Sequence, residues 1–274
     1  MNADAPGTMR RKAVGDVLVQ KLAGTCPLGV EARRALRSLP AALRRYRRQQ
    51  VIVQAGDAPD ALMVVLDGSA ARVKVTRAGE HPIVGFVLPG DVFDWPALAL
   101  RAGGVPGRHA LLDHTVVAVA ACVIATIRAG PLLSVLEEHP EIRQALDADA
   151  VVGRNIAHEW LSSLACRPAA ERVAHLLCEY FHRMRIMGLT EGDTCPFPFS
   201  QSRLSASQGL STVHTNRQLR RLQREGLVRV ERRRMRILDR VRLEAFADFT
   251  PDYLSAYAPT PPVAARMAHG GGAS

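Results

Sequence analysis

Turn-forming glycine pairs break the first half of this chain at short intervals and then disappear. Ala55-Gly56-Asp57, Asp67-Gly68, Ala78-Gly79 and Pro89-Gly90-Asp91 punctuate segments rich in Val, Ile and Leu at 50–54, 61–66, 70–76 and 82–88, with two more at 115–120 and 122–127. Apolar runs this short, separated by glycine turns, predict the strands of an antiparallel barrel or jelly roll. The stretch 101–108, with Gly103, Gly104, Pro106 and Gly107, reads as a loop interrupting it. After Gly130-Pro131 no such turn pair occurs for a long way, so the second half must be built on helices.

In 140–165 apolar or small residues recur at Leu146, Ala150, Gly153, Ala157, Trp160 and Leu164, spaced by four and three, with Ile142, Val152 and Ile156 on an adjoining stripe. That period predicts a long helix with two usable faces. The regular small-residue stripe has the spacing of a helix-pairing seam. It predicts dimerisation; packing within one chain is the other reading. Pro168 then opens a second helix whose core stripe is Val173, Leu176, Leu177, Tyr180, Phe181 and Met184, and Gly188 ends it.

Charge narrows the function. The chain has 274 residues, 36 Lys and Arg against 26 Asp and Glu, and a formal net charge of +10. Twelve arginines and no lysine lie in 200–242, against only Glu225, Glu231 and Asp239, so this segment holds nearly all of the excess. Planar guanidiniums at that density suit a surface that tracks phosphates. A second cluster, Arg33, Arg34, Arg37, Arg44, Arg45, Arg47 and Arg48, is more diffuse and reads as a solvated surface.

Other classes fall away. The longest apolar stretch, 116–127, is too short for a membrane span, and charges through the first twenty-five residues argue against a secretory signal, which places the protein in the cytoplasm. Five cysteines without a CxxC pair indicate neither a disulfide framework nor a zinc site. His175 and His182, two turns apart on one predicted helix, read as solvated polar positions. There is no glycine-rich phosphate loop, nucleophile elbow or HExxH, so an enzyme is not expected.

The functional motif lies at 200–224. Ser200 suits an N-cap for a short helix to Ala206, Gly209 supplies the turn, and Ser211 caps a second helix to Arg224. Thr215, Leu219 and Leu222 fall on one face and should pack inward; Val213, Arg217, Arg220 and Arg224 fall on the opposite face, with Thr212 and His214 at the exposed tip. A recognition helix entering the major groove N-terminus first would set 212–217 on bases and later arginines near phosphates. Residues 226–238 then read as a hairpin, a wing with Arg232, Arg233 and Arg234 at its tip. The DNA-contact candidates are Ser200, Gln201, Ser211, Thr212, Val213, His214, Arg217, Arg220, Arg221 and Arg233.

The order of barrel, long helix and winged helix-turn-helix over residues 26–247 resembles the Crp/Fnr family of bacterial transcription regulators. Local wording carries the resemblance: LPGDVFDWPAL at 88–98, ERVAHLLCEYFHRMRIMGL at 171–189, and GLSTVHTNRQLRRLQREGLVRVERRRMRILD at 209–239. The resemblance implies an α+β chain with a β-roll (jelly-roll) effector domain 26–130, a dimerisation helix 131–165 and a winged helix-turn-helix 166–247; before it, 1–25 lacks sustained periodicity and reads as a mobile segment, and after it 248–274 reads as a tail. It implies a homodimer on an inverted-repeat operator, with RNA polymerase as a further partner. It places base reading at Thr212, Val213 and Arg217 and a phosphate contact at His214.

Departures from the family pattern shape the effector. Members that bind cyclic AMP carry Gly-Glu-Leu and then Arg-Ser or Arg-Thr; here stand Asp94-Trp95-Pro96 and, after a longer loop, Arg108-His109. Cyclic AMP is therefore not expected, and Asp94, Trp95, Arg108 and His109 are the effector-pocket candidates for an unknown ligand. Only Cys26 lies near the N-terminus, so an iron-sulfur cluster is not expected and no cofactor is assigned. Thr215 stands where the pattern has valine, and Arg233 where a glycine would ease the wing turn. The competing reading is a small-molecule or redox sensing module acting through protein contacts, with Cys122 or Cys178 as the switch; lone cysteines among apolar neighbours are more often inert.

Overall fold

The computed structural model describes residues 13–104 and 111–255. Two helices lead in, α1 (Val14–Ala23) and α2 (Val30–Ser38). Eight strands follow: β1 (Ala42–Tyr46), β2 (Val51–Val53), β3 (Ala61–Asp67), β4 (Ala70–Val73), β5 (Ile83–Val87), β6 (Val92–Phe93), β7 (Thr115–Ala118) and β8 (Cys122–Arg128), with α3 (Trp95–Ala102) between β6 and β7. They form two antiparallel sheets, ordered β1-β8-β3-β6 and β2-β7-β4-β5. Strand alternation with both faces covered explains why β3 up to Leu66 and β8 up to Ile127 are almost entirely apolar, Thr126 being the exception. Val65, Cys122 and Ile124 point into the roll beside Phe93 and Val116, whereas Leu62, Val64, Ala125 and Ile127 point outward onto Leu18, Leu22, Leu36 and Leu132 of the helices.

The helical half comprises α4 (Ala129–Glu138), α5 (Pro140–Cys166), α6 (Ala169–Ile186), α7 (Gln201–Gln208), α8 (Thr212–Arg224) and α9 (Arg240–Phe246), with a three-stranded sheet β10-β11-β9 from β9 (Thr194–Pro196), β10 (Val228–Glu231) and β11 (Arg234–Ile237). Its core does not stop at the roll. Ala71, Val73, Phe86 and Leu88, on the outer face of the second sheet, join one cluster with Trp160, Leu177, Phe181, Leu204, Leu222 and Met235. No helix among the described residues is long and apolar enough to cross a membrane.

Several sequence expectations are corrected. Residues 14–23 are a helix and not a mobile lead-in, with Val17, Leu18 and Leu22 buried; its apolar stripe is only two turns long, too short to register as a period. Gly15 lets α1 cross α2 closely, since a Cβ there would sit 2.3 Å from the Arg37 Cα. The pairing helix does not begin at 131. Pro140 forces His139 out of helical geometry (φ −131°, ψ 75°) and splits α4 from α5. Residues 95–102 form α3, which overlaps the expected loop 101–108 only at its first two positions; 103–104 are a turn, 105–108 lie outside the described residues, and β1 emerges from the arginine run. The start of the segment set apart as a tail packs on the helical half: Pro251–Leu254 forms a 3-10 turn, Phe249 and Leu254 are buried, and Tyr253 Oη donates to Glu179 at 3.2 Å; the remainder, from 256, lies outside the described residues. His175 is buried, not solvated.

The expected seam on α5 is split. Leu146 and Trp160 turn into their own chain, Trp160 Nε1 donating to Glu179 Oε2 at 2.9 Å. The stripe left facing outward is Gly153, Ala157, Leu161 and Leu164, the last two 67% and 42% exposed.

Candidate nucleic-acid interface

Both helices of the motif start as their sequence dictates. Ser200 Oγ caps α7 by accepting from Arg203 N at 3.4 Å, and Ser211 Oγ caps α8 by accepting from His214 N at 3.1 Å. Gly209 takes the left-handed conformation (φ 58°) that ends α7 and turns the chain. Thr215, Leu219 and Leu222 are buried against the core, which fixes the rotation of α8. Val213 is therefore 81% exposed, with Arg217, Arg220 and Arg224 exposed beside it and His214 half-buried at the tip. Thr212 Oγ1 lies 3.3 Å from Ser205 Oγ, tying the two helices where they meet. Gln201 is exposed in the first turn of α7.

Arg221 departs from the expected group. Its Nε donates to Glu225 at 2.7 Å and its guanidinium lies 5.4 Å from the centre of the Phe246 ring, so it leans away from the arginine face and is already neutralised. Asn216 and Gln223 line the surface hollow formed with Val213, Arg217, Arg220 and Arg224; the 3.6-residue period could have placed Asn216 there.

The wing turn is strained in the way its composition suggested. Arg232 and Arg233 both have positive φ, 48° and 60°, the geometry of a two-residue hairpin that normally takes Asn-Gly. It is held by Phe197 N donating to the Arg233 carbonyl at 2.8 Å. Arg229 and Arg236, directly opposite on β10 and β11, are exposed like charges, a pairing that costs stability in isolation and suits a polyanion. In the sequence both add to the local charge, but their pairing depends on strand register, which spacing does not encode.

The second candidate site is a cavity of about 540 Å³ between the roll, α3 and α5. Asp94 and Trp95 line it; Arg108 and His109 lie outside the described residues. Asp94 is left-handed (φ 67°) with Oδ1 3.3 Å from His114 Nε2, while Trp95 is buried with Nε1 donating to Asp147 at 2.7 Å. One wall is charged and continues toward the winged helix. Lys21 Nζ lies 3.1 Å from both Asp91 and Asp149, and Arg183 bridges Asp91 and Glu179. Burial alone would raise the Asp91 pKa, but Arg183 and Lys21 overcome it and hold the carboxyl down at about 2. Burial raises the Glu179 carboxyl against the pull of Arg183.

Neither thiol of the redox alternative is poised to react. Burial pushes Cys122 up to about 11 and Cys178 higher still.

Two family models match, one on each half: the cyclic nucleotide-binding domain over residues 43–139 and the Crp-like helix-turn-helix domain over 171–246. The chain belongs to the Crp/Fnr family. This is a family of transcription regulators, not of enzymes, and the protein is a DNA-binding transcription regulator of that type. Curated relatives agree. The chain is 26% identical to "Transcriptional activator protein FnrL" of Cereibacter sphaeroides, covering 70% of this chain and 74% of the relative. It is 29% identical to "Nitrogen fixation regulation protein FixK" of Bradyrhizobium diazoefficiens, with 67% and 72% covered. The fold is shared with the solved structure of FixK2 from Bradyrhizobium japonicum, at a TM-score of 0.65 and 21% identity, over 77% of this chain and all of that one.

Proposed function

We propose that this Crp/Fnr regulator binds an inverted-repeat operator as a homodimer, each α8 entering the major groove of one half-site. The observation that carries this is the acid-free arginine face of α8, whose orientation follows from the burial of Thr215, Leu219 and Leu222. On that reading Thr212, Val213 and Arg217 meet base edges, with Val213 against a thymine methyl and Arg217 bidentate to guanine. Ser200, Gln201, Ser211, His214, Arg220 and Arg233 meet phosphates. The outward stripe Gly153, Ala157, Leu161 and Leu164 on α5 is the pairing surface, small enough for close helix approach.

The roll is the effector domain and its cavity the ligand site. The ligand is not cyclic AMP: Trp95 occupies the place of the family's ribose-binding carboxylate and its indole is turned to Asp147. Seated beside promoters in the cytoplasm, the dimer has RNA polymerase as its neighbour.

Fluorescence anisotropy of the ligand-free protein with duplex from its own upstream region, competed by random duplex, tests the reading. Selective binding with a steep salt dependence supports it; no binding even at low salt overturns it. Sedimentation tests the pairing surface, because Leu161→Glu is expected to yield monomers.

A further inference from the structure

The arginine run 44–48 is not used by the recognition surface. The diffuse cluster at 33–48 divides in the structure: Arg33 Nε donates to the Leu28 carbonyl at 3.0 Å and Arg37 pairs with Asp16 at 2.7 Å. Arg44, Arg45, Arg47 and Arg48 are instead exposed around one surface hollow, without an acidic partner among the described residues. They lie on β1, the outer strand of its sheet, and on the turn into β2.

That turn is fixed and its place is informative. Gln49 N donates to the Ala118 carbonyl at 2.8 Å, and Ala118 N donates to the Gln50 carbonyl at 2.9 Å. Ala118 pairs in register with Ala70, and Ala70 with Val87, so the turn sits at the same end of the second sheet as Phe86. Phe86 packs on Phe199, ring centres 4.3 Å apart, immediately before the Ser200 cap of α7. The run therefore lies at the end of the second sheet that packs against the DNA-binding motif, on the edge opposite β5. There the half-buried Arg203 already feels Arg48: burial first, then that neighbouring charge, lowers its pKa.

We propose that Arg45, Arg47 and Arg48, together with Arg203, form a second phosphate-binding surface, on the roll, that holds DNA backbone beyond the stretch gripped by α8 and the wing. It rests on the DNA-binding reading above. Like charges held together without an acid are repulsive until a polyanion arrives, the same arrangement seen for Arg229 and Arg236 on the wing. The nearness of Arg48 to Arg203 on α7, whose capped N-terminus presents free amides to the same backbone, favours DNA over an acidic protein as the partner.

The test is anisotropy with a labelled mixed-sequence duplex of about 40 base pairs, long enough to extend past two half-sites, over a range of salt. The combined variant Arg45→Gln, Arg47→Gln, Arg48→Gln is expected to make the slope of log affinity against log salt shallower by about two to three per protomer, with an unchanged thermal midpoint. The corresponding lysine triple keeps the charge and is expected to keep most of the slope. Combining the glutamine triple with Arg233→Ala should add the two losses, since the contacts are separate. An unchanged slope in the glutamine triple would overturn the proposal. So would an equal loss in the lysine triple, or unchanged DNA binding with failure to recruit RNA polymerase, which would assign the run to a protein partner. A parent protein that does not bind the duplex at low salt would overturn the DNA-binding reading itself.

Discussion

At the junction of α1, the roll and α6, Lys21 and Arg183 are half-buried and face Asp91, Asp149 and the buried Glu179. On α8 and the wing, Arg217, Arg220, Arg224, Arg229, Arg232, Arg233 and Arg236 are exposed and have no acid opposite among the described residues. The same side chain thus serves two ends. Inside, a guanidinium is matched to carboxylates because an unmatched buried charge is costly, and the match fixes how the two halves sit. Outside, charges are left unmatched, at some cost in repulsion, and on the proposed reading phosphates complete them. Stability should depend on the first set and DNA binding on the second.

The largest effect expected inside the molecule comes from Arg183→Met, which strands Asp91 and Glu179 without their shared partner. It should lower stability in urea unfolding by about 3 to 5 kcal/mol. If stability is unchanged, the junction does not hold the halves together. The outer surface is expected to respond in another currency: Arg217→Ala should leave the unfolding curve alone and cost about 1 to 3 kcal/mol of discrimination at one guanine. Equal selectivity in parent and variant, measured on a panel of single-base operator changes, would show that α8 is rotated from the position described.

Acid should weaken the interior. Burial, then the charge of Arg167, holds the His175 pKa down at about 4, from 6.5. A depressed histidine favours the folded state while neutral, so its stabilisation is present above 6.5 and is lost as pH falls toward 4. Unfolding at pH 5 should be easier than at pH 7 by about 2 kcal/mol from this group, and His175→Gln should flatten the difference. Thr215→Val tests a smaller interior defect. Thr215 is fully buried and its Oγ1 has no hydrogen-bond partner, so valine should stabilise by about 1 kcal/mol without altering base preference. The smallest change is expected outside: Arg233→Ala should reduce the salt slope by about one and weaken binding to all sequences alike. A sequence-dependent loss there would move the wing from the phosphates to the bases.

Much of this was legible from residue spacing. The glycine-separated strands, the helix over 140–166, both serine caps and the inward set Thr215, Leu219 and Leu222 follow from periods and capping chemistry that act within a few residues. The position of Arg221 did not follow in the same way: its helical angle borders the arginine face, and only Glu225 together with Phe246 from α9 draws it off. Helix α1 was hidden for a related reason. Its two turns carry too little apolar pattern, and its burial depends on a surface supplied by α2, the roll and α5.

The sequence by itself determined that this chain pairs a strand-built half with a helical half ending in an arginine-rich recognition motif, because hydrophobic period, turn glycines and local charge are properties of neighbouring residues. Tertiary structure decided which α5 residues turn inward, how Lys21, Asp91 and Arg183 come together across 162 residues of chain, and that the 44–48 arginines lie at the end of the second sheet that packs against the DNA-binding motif. Those depend on register between distant strands and on the packing of one half against the other, which no local pattern encodes.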